Sequence, residues 1–186
     1  MIVTTPTPLE GLLILEPRVH RDPRGYFFEA YNERDFRETG LPTDFVQDNV
    51  SVSVKGTLRG LHFQRAPHAQ GKLVRVLTGS VFDVAVDMRP SSPTFGKWFG
   101  LELSEENGRA LYLPPGFAHG FLATAERVVF HYKVTSLYQP GTEGTLRWDD
   151  STVGVQWPDQ TGPILLSEKD RAGLSWKDAL RLLSPK

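Results

Sequence analysis

The sequence has no cysteine and no long apolar run. Lack of cysteine excludes a disulfide framework, a thiolate-bound metal and a cysteine nucleophile. It also suits a reducing compartment, so a cytoplasmic location is expected. The longest early apolar stretch, Leu12 to Leu15, has neither a basic flank before it nor a small-residue cleavage site after it, so no signal peptide is expected. No segment approaches the roughly 20 apolar residues of a membrane-spanning helix, and no membrane partner is expected. Charge of either sign is not in excess: 21 Lys and Arg face 22 Asp and Glu, for a net charge of −1. A dedicated nucleic-acid binder carries a basic excess, so no nucleic-acid partner is expected. Linkers, low-complexity segments and repeats at a solenoid period are lacking too. The 186 residues fit one domain, residues 1–186, with a core of its own.

Turn formers are plentiful, with 17 Gly and 14 Pro spread along the chain. Between them lie short strand-like runs. Residues 45–54 and 57–64 are separated by a Lys55-Gly56 turn, and 72–77 and 81–88 flank Thr78-Gly79-Ser80, which reads as a short hairpin turn. Runs at 97–103, 109–113, 119–123 and 127–137 follow. Helical signals are few: 32–39, capped by Asn32 and ended by Gly40, and 176–183, capped by Ser175, with Trp176, Leu180 and Leu183 on one face. The fold class is therefore all-β, a sandwich or barrel with a few short helices. Alternation puts Lys72 on one face with Val74 and Val76, which means a strand-end lysine reaching water or one facing a polar cavity. Tyr132 shares a face with Val128, Phe130 and Val134, and His62 shares one with Gln64.

Two segments concentrate chemistry: Arg59-Gly60-Leu61-His62-Phe63-Gln64, followed by Gln70-Gly71-Lys72, and Pro114-Pro115-Gly116-Phe117-Ala118-His119-Gly120. They resemble the two motifs of the cupin superfamily. His62 and His119 stand at ligand positions of that pattern, Gln64 replaces a histidine and Lys72 replaces the glutamate. A divalent metal needs deprotonated donors, and an ammonium at a ligand position repels it. No metal and no cofactor are expected. Such a site attracts an anion, or a carbonyl oxygen that becomes anionic.

A narrower resemblance runs over roughly residues 2 to 180. Its signatures are Asp22-Pro23-Arg24-Gly25-Tyr26-Phe27-Phe28-Glu29, Gln47-Asp48-Asn49, the two segments above, Tyr132-Lys133 and Ser167-Glu168-Lys169-Asp170. With these the chain resembles the dTDP-4-dehydrorhamnose 3,5-epimerase family. The resemblance implies a cupin-type jelly roll and a homodimer whose amino-terminal strands, within residues 1–30, exchange across the subunits. It also implies a cytoplasmic, cofactor-free enzyme of dTDP-L-rhamnose biosynthesis that inverts C3 and C5 of dTDP-4-dehydro-6-deoxyglucose. Both protons are alpha to the C4 ketone, and histidine is the natural base near neutral pH. By resemblance His62 is that base, Asp170 orients it, Lys72 faces the O4 oxyanion, and Tyr132 is the acid on the other face of the ring. Lys72 would also hold Tyr132 as a phenolate for part of the cycle. The resemblance makes Arg24, Glu29, Gln47, Asn49, Arg59, His119, Tyr138, Glu143 and Lys169 substrate-binding residues, with guanidinium forks suited to phosphate.

The chain departs from the family at Asn49-Val50-Ser51-Val52-Ser53, where Asn-His-Ser-Arg-Ser is common, and at Leu137, where an aromatic is common. These departures motivate a single-centre epimerase or ketoisomerase on a related dTDP-keto-sugar; a non-catalytic sugar-binding cupin is a separate alternative. Taken singly, His62, Lys72 and Tyr132 are ordinary strand residues; only their convergence carries the reading.

Overall fold

The protein was analysed as a computed structural model that describes residues 2–183. Its strands, numbered in chain order, form two packed sheets. One sheet runs β1 (Ile2–Pro6), β2 (Leu13–Pro17), β10 (Ala110–Leu113), β7 (Lys72–Thr78), β12 (Arg127–Val134), β5 (Gln47–Val54). The other runs β13 (Glu143–Thr145), β6 (Leu58–Gln64), β11 (Phe117–Ala123), β8 (Ser80–Asp87), β9 (Trp98–Ser104). A separate hairpin pairs β3 (His20–Asp22) with β4 (Gly25–Phe27). The helices are α1 (Glu33–Glu38), α2 (Glu168–Arg171) and α3 (Trp176–Leu183). The result is an all-β jelly roll with short helices: the strand spacing predicts the all-β sandwich or barrel, and the family resemblance implies the jelly roll.

Alternation builds the core between the sheets. Val74, Val76, Leu111 and Phe130 from one sheet meet Val81, Leu103 and Phe121 from the other. Each such side chain contributes about 1.5–3 kcal/mol on burial. The five-stranded sheet is covered on its outer side as well. There Leu61, Phe63, Val84 and Val86 pack beneath Trp157, Trp176 and Ala179, which is why every residue of β11 is buried. The packed face of α3 includes Trp176 and Leu183, as the simple spacing predicts, together with Ala179 and Leu182. The small Ala179 lets the helix sit close. Helix α1 begins as expected: the Asn32 side chain accepts from the backbone N–H groups of Arg34 and Asp35. Its Phe36 seals the outer side of the six-stranded sheet against Leu15, Leu73 and Ala110.

The hairpin expected at Thr78-Gly79-Ser80 is not one. β7 pairs with β10 and β12, whereas β8 pairs with β9 and β11. Gly79 is a corner that carries the chain from one sheet to the other, and Lys55-Gly56 does the same between β5 and β6. Turn chemistry signals a reversal, but not which sheet receives the next strand. Gly79 has φ +80°, and a Cβ there would lie 2.3 Å from the Arg127 carbonyl oxygen, so only glycine serves. The short strands β1 to β4 and β13 do not stand out in the residue pattern, being three to five residues long. No helix among the described residues is long and apolar enough to cross a membrane.

Candidate functional site

Cross-strand register brings the dense segments together. His119 on β11 sits opposite His62 on β6, and Thr145 on β13 flanks His62 on its other side. This approach needs two glycines back to back. A Cβ on Gly60 would lie 2.6 Å from Gly120 Cα, and Gly60 also has φ +119°. From the other sheet, Lys72 enters at the start of β7 and Tyr132 two-thirds along β12. Arg59, His62, Lys72, His119, Tyr132 and Glu143 line one cavity of about 110 Å3, open at one side.

His62 is oriented from behind. Its Nε2 lies 2.5 Å from Asp170 Oδ1, and side-chain exposure falls from 31% at His62 to 5% at Asp170. Helix α2 presents the carboxylate: Ser167 caps the helix, donating its hydroxyl to Asp170 Oδ2 at 2.7 Å, while the Gly60 N–H donates to Oδ1 at 3.3 Å. Burial acts to raise the Asp170 pKa, but the hydrogen bonds from His62 and Ser167 outweigh it and hold the group low, hence ionised. An ionised Asp170 accepts from Nε2–H, which leaves the lone pair of neutral His62 on Nδ1. Burial, with smaller help from Lys72 and Lys169, lowers the His62 pKa against the pull of Asp170. The imidazole is therefore neutral near pH 7 and competent as a base.

Lys72 faces the polar cavity rather than bulk water. It is 8% exposed, and its Nζ donates to the His62 carbonyl oxygen at 3.2 Å. Burial lowers its pKa to about 8, with Asp83 and Glu143 resisting the fall. It remains largely protonated at neutral pH, a cation in a poorly hydrated place. Asp83 is the functional residue that the sequence reading misses. It is fully buried on β8 and grips His119 Nε2 with both oxygens, at 2.9 and 3.1 Å. The only signal was an acidic residue in the apolar run of β8, at Val81-Phe82-Asp83-Val84. Burial pushes the Tyr132 phenol up, against a smaller opposing effect of Arg59. The phenol is thus held protonated. In the resting site the cation acting on the phenol is Arg59, and burial outweighs it.

The expected binding residues divide into three groups. Arg59, His119, Tyr138 and Glu143 line the cavity. Arg59 is steadied by the Ser53 hydroxyl at 3.0 Å and the Val52 carbonyl at 3.1 Å. Glu143 accepts from Tyr138 Oη at 3.1 Å and from the Lys169 ammonium, closing a ring at the mouth. Gln47 and Asn49 lie behind the lining. Gln47 donates to Asn49 and accepts from the Tyr138 N–H at 3.2 Å, so it positions the loop that carries Tyr138. Buried Gln64 braces the same loop by accepting from Gln139 N–H at 2.8 Å. Arg24 and Glu29 are not brought to this cavity. Arg24 pairs with Asp22 on the hairpin, and Glu29 lines a different hollow near α1. The departing valines also point away: Val50 and Val52 are 62% and 54% exposed on the outer face of β5, while Ser53 on the inner face reaches Arg59. They therefore leave the cavity of their own chain unaltered.

This arrangement can take a proton from carbon on one side with an imidazole and return one on the other with a phenol. His62 comes from the five-stranded sheet and Tyr132 from the six-stranded sheet, so a ring bound between them meets the two groups from opposite directions. Both histidines already hold carboxylates at Nε2, and an ammonium stands beside them. That donor set favours developing negative charge over a divalent cation.

Comparison with known proteins gives a consistent result. Residues 6–178 match the family profile described as dTDP-4-dehydrorhamnose 3,5-epimerase. The protein of that name from Salmonella typhimurium is 53% identical over 173 residues, 92% of this chain and 94% of its own. The one from Methanothermobacter thermautotrophicus is 52% identical over 172 residues, 92% of this chain and 91% of its own. Among solved structures, a dTDP-6-deoxy-D-glucose-3,5-epimerase from Legionella pneumophila, in complex with dTDP-4-keto-L-rhamnose, superposes with a TM-score of 0.92 at 43% identity, covering 100% of this chain and 99% of that one.

Proposed function

The chain belongs to the dTDP-4-dehydrorhamnose 3,5-epimerase family, and on that premise we propose how its own residues carry the reaction. It is an isomerase acting on a nucleotide-linked sugar, converting dTDP-4-dehydro-6-deoxyglucose by inversion at C3 and C5 on the way to dTDP-L-rhamnose. The neutral imidazole of His62 takes the proton from C3 or C5. The electron pair left on carbon moves into the C4 carbonyl, and the new oxyanion rests against the Lys72 ammonium. The ketone re-forms as the electron pair returns to carbon and takes a proton from Tyr132 on the opposite face, which inverts the centre; proton exchange with water then returns His62 to the neutral imidazole and Tyr132 to the phenol before the second carbon reacts. The observation that carries this reading is the meeting of the His62–Asp170 pair, the buried Lys72 and the protonated Tyr132 in one cavity, with base and acid on facing sheets. Arg59, His119, Tyr138, Glu143 and Lys169 bind the sugar and diphosphate, with Gln47 and Asn49 behind them.

Arg24 and Glu29 find their use in a second copy. The β3–β4 hairpin stands outside both sheets with Phe27 66% exposed, which supports a homodimer in which residues within 1–30 complete the neighbouring site. β1 and β2 pair within their own chain, which supports the hairpin as the crossing stretch. The whole chain then acts as one domain, and the lack of cysteine supports a cytoplasmic location.

The test is incubation with the 4-keto-6-deoxyglucose nucleotide in heavy water, following ring protons by NMR. Loss of both H3 and H5 signals with inversion at both carbons is expected. Exchange at one carbon alone, or a migrated carbonyl, would move the protein to the single-centre or ketoisomerase reading. Binding without any exchange would make it a sugar-binding protein. Asp170→Asn is expected to lower kcat about 10³-fold with little change in KM, because an amide no longer stabilises the imidazolium. Its acid limb in a pH–rate profile should move to lower pH, since Asp170 is what holds the His62 pKa up.

A further inference from the structure

We propose that Arg75 is a positioning residue that anchors the root of the β3–β4 arm, residues 28–30, and thereby fixes where Arg24 and Glu29 stand. Arg75 lies on β7, three residues after Lys72 and on the opposite face of the strand. It is 3% exposed. Its Nη2 donates to the Ala30 carbonyl at 2.6 Å, and its guanidinium carbon sits 5.8 Å from the centroid of the Phe28 ring. Among the described residues, Nη1 is buried with no hydrogen-bond partner and Arg75 makes no ion pair. The acidic residue of that strip, Asp48, is taken by Lys133 at 2.6 Å, and His131 stands opposite Arg75 on β12. Burial lowers the Arg75 pKa to about 10, which still leaves it charged at neutral pH.

A buried cation without a counterion is costly, and core packing alone would be served better by an aliphatic chain. What this guanidinium holds is the arm: one charge-assisted hydrogen bond and one aromatic face, both from residues 28–30. Phe28 in turn stacks on Tyr26 of the hairpin, centroids 6.0 Å apart and planes within 8°. The anchor thus reaches the turn that carries Arg24. One strand presents an ammonium to the cavity and a guanidinium to the arm. The proposal rests on the reading that the arm serves the dTDP-sugar site.

The experiment compares wild type, Arg75→Met and Arg75→Lys by steady-state kinetics and by limited trypsin digestion at Arg21 and Arg24. Loss of a charged hydrogen bond at the root predicts about a tenfold rise in KM for Arg75→Met, with kcat within twofold. Cleavage at the two arginines should quicken several-fold. Arg75→Lys, which can still reach the Ala30 carbonyl, should recover most of both. An Arg75→Met protein with wild-type KM and wild-type cleavage overturns the anchor, as does a fall in kcat at unchanged KM. If wild type turns over no nucleotide sugar, the functional reading fails, and the trypsin comparison still decides the anchor.

Discussion

Replacing His62 with alanine is expected to lower kcat about 10³-fold and to stop deuterium entering C3 and C5, while dTDP binding stays within about threefold of wild type. The size follows from what a positioned base contributes, about 10²–10⁴-fold. The binding result follows from geometry. His62 is held by Asp170 behind it, and the residues assigned to the diphosphate, Arg59 and His119, are fixed by partners of their own at Ser53 and Asp83. Removing the imidazole therefore leaves the clamp intact. Heavy-water exchange by NMR and calorimetry with dTDP check the two halves separately. Exchange at the wild-type rate in the alanine variant would remove His62 from its role.

The second large effect belongs to Lys72. Its replacement by methionine, nearly isosteric and uncharged, is expected to lower kcat about 10²–10³-fold, the scale of losing a preorganised donor at an oxyanion. Its titration also shapes the pH dependence. His62 acts as base only when neutral, so kcat/KM rises with pH through a pKa below the ordinary 6.5 of histidine. Lys72 acts only when charged, so kcat/KM falls as pH rises through about 8. The wild-type profile is a bell with both limbs in reach. Arg in place of Lys72 stays charged over this range. That variant keeps part of the activity and loses the falling limb near pH 8. A falling limb that survives unchanged in Lys72→Arg assigns it to another group.

Much of this was legible in the residues, for reasons that differ by element. The central strands β5 to β12 lie within a few residues of their expected bounds, because alternation and turn formers mark them locally. Lys72 among valines was readable as two alternatives, and the fold selects the polar cavity. The proposed catalytic set came from the family resemblance that its motifs carry, not from periodicity or spacing. What escaped needs three dimensions. Gly79 reads as a hairpin turn and is a corner, since the choice of sheet depends on where β10 and β12 lie. Asp83 hides in an apolar run, and only the register across β11 shows that it reaches His119. Val50 and Val52 read as changes to the site until the strand's facing is known, and then they point outward.

The central claim is that a buried ammonium, not a metal, meets the developing oxyanion, and the titration of that one amine tests it most directly. In protein carrying 13C-labelled lysine, the Lys72 Cε resonance, assigned by its loss in Lys72→Met, should titrate with a midpoint at about 8. The falling limb of kcat/KM should follow the same midpoint. A Lys72 amine that titrates at its ordinary value of 10.5, as a solvent-exposed lysine would, contradicts the account.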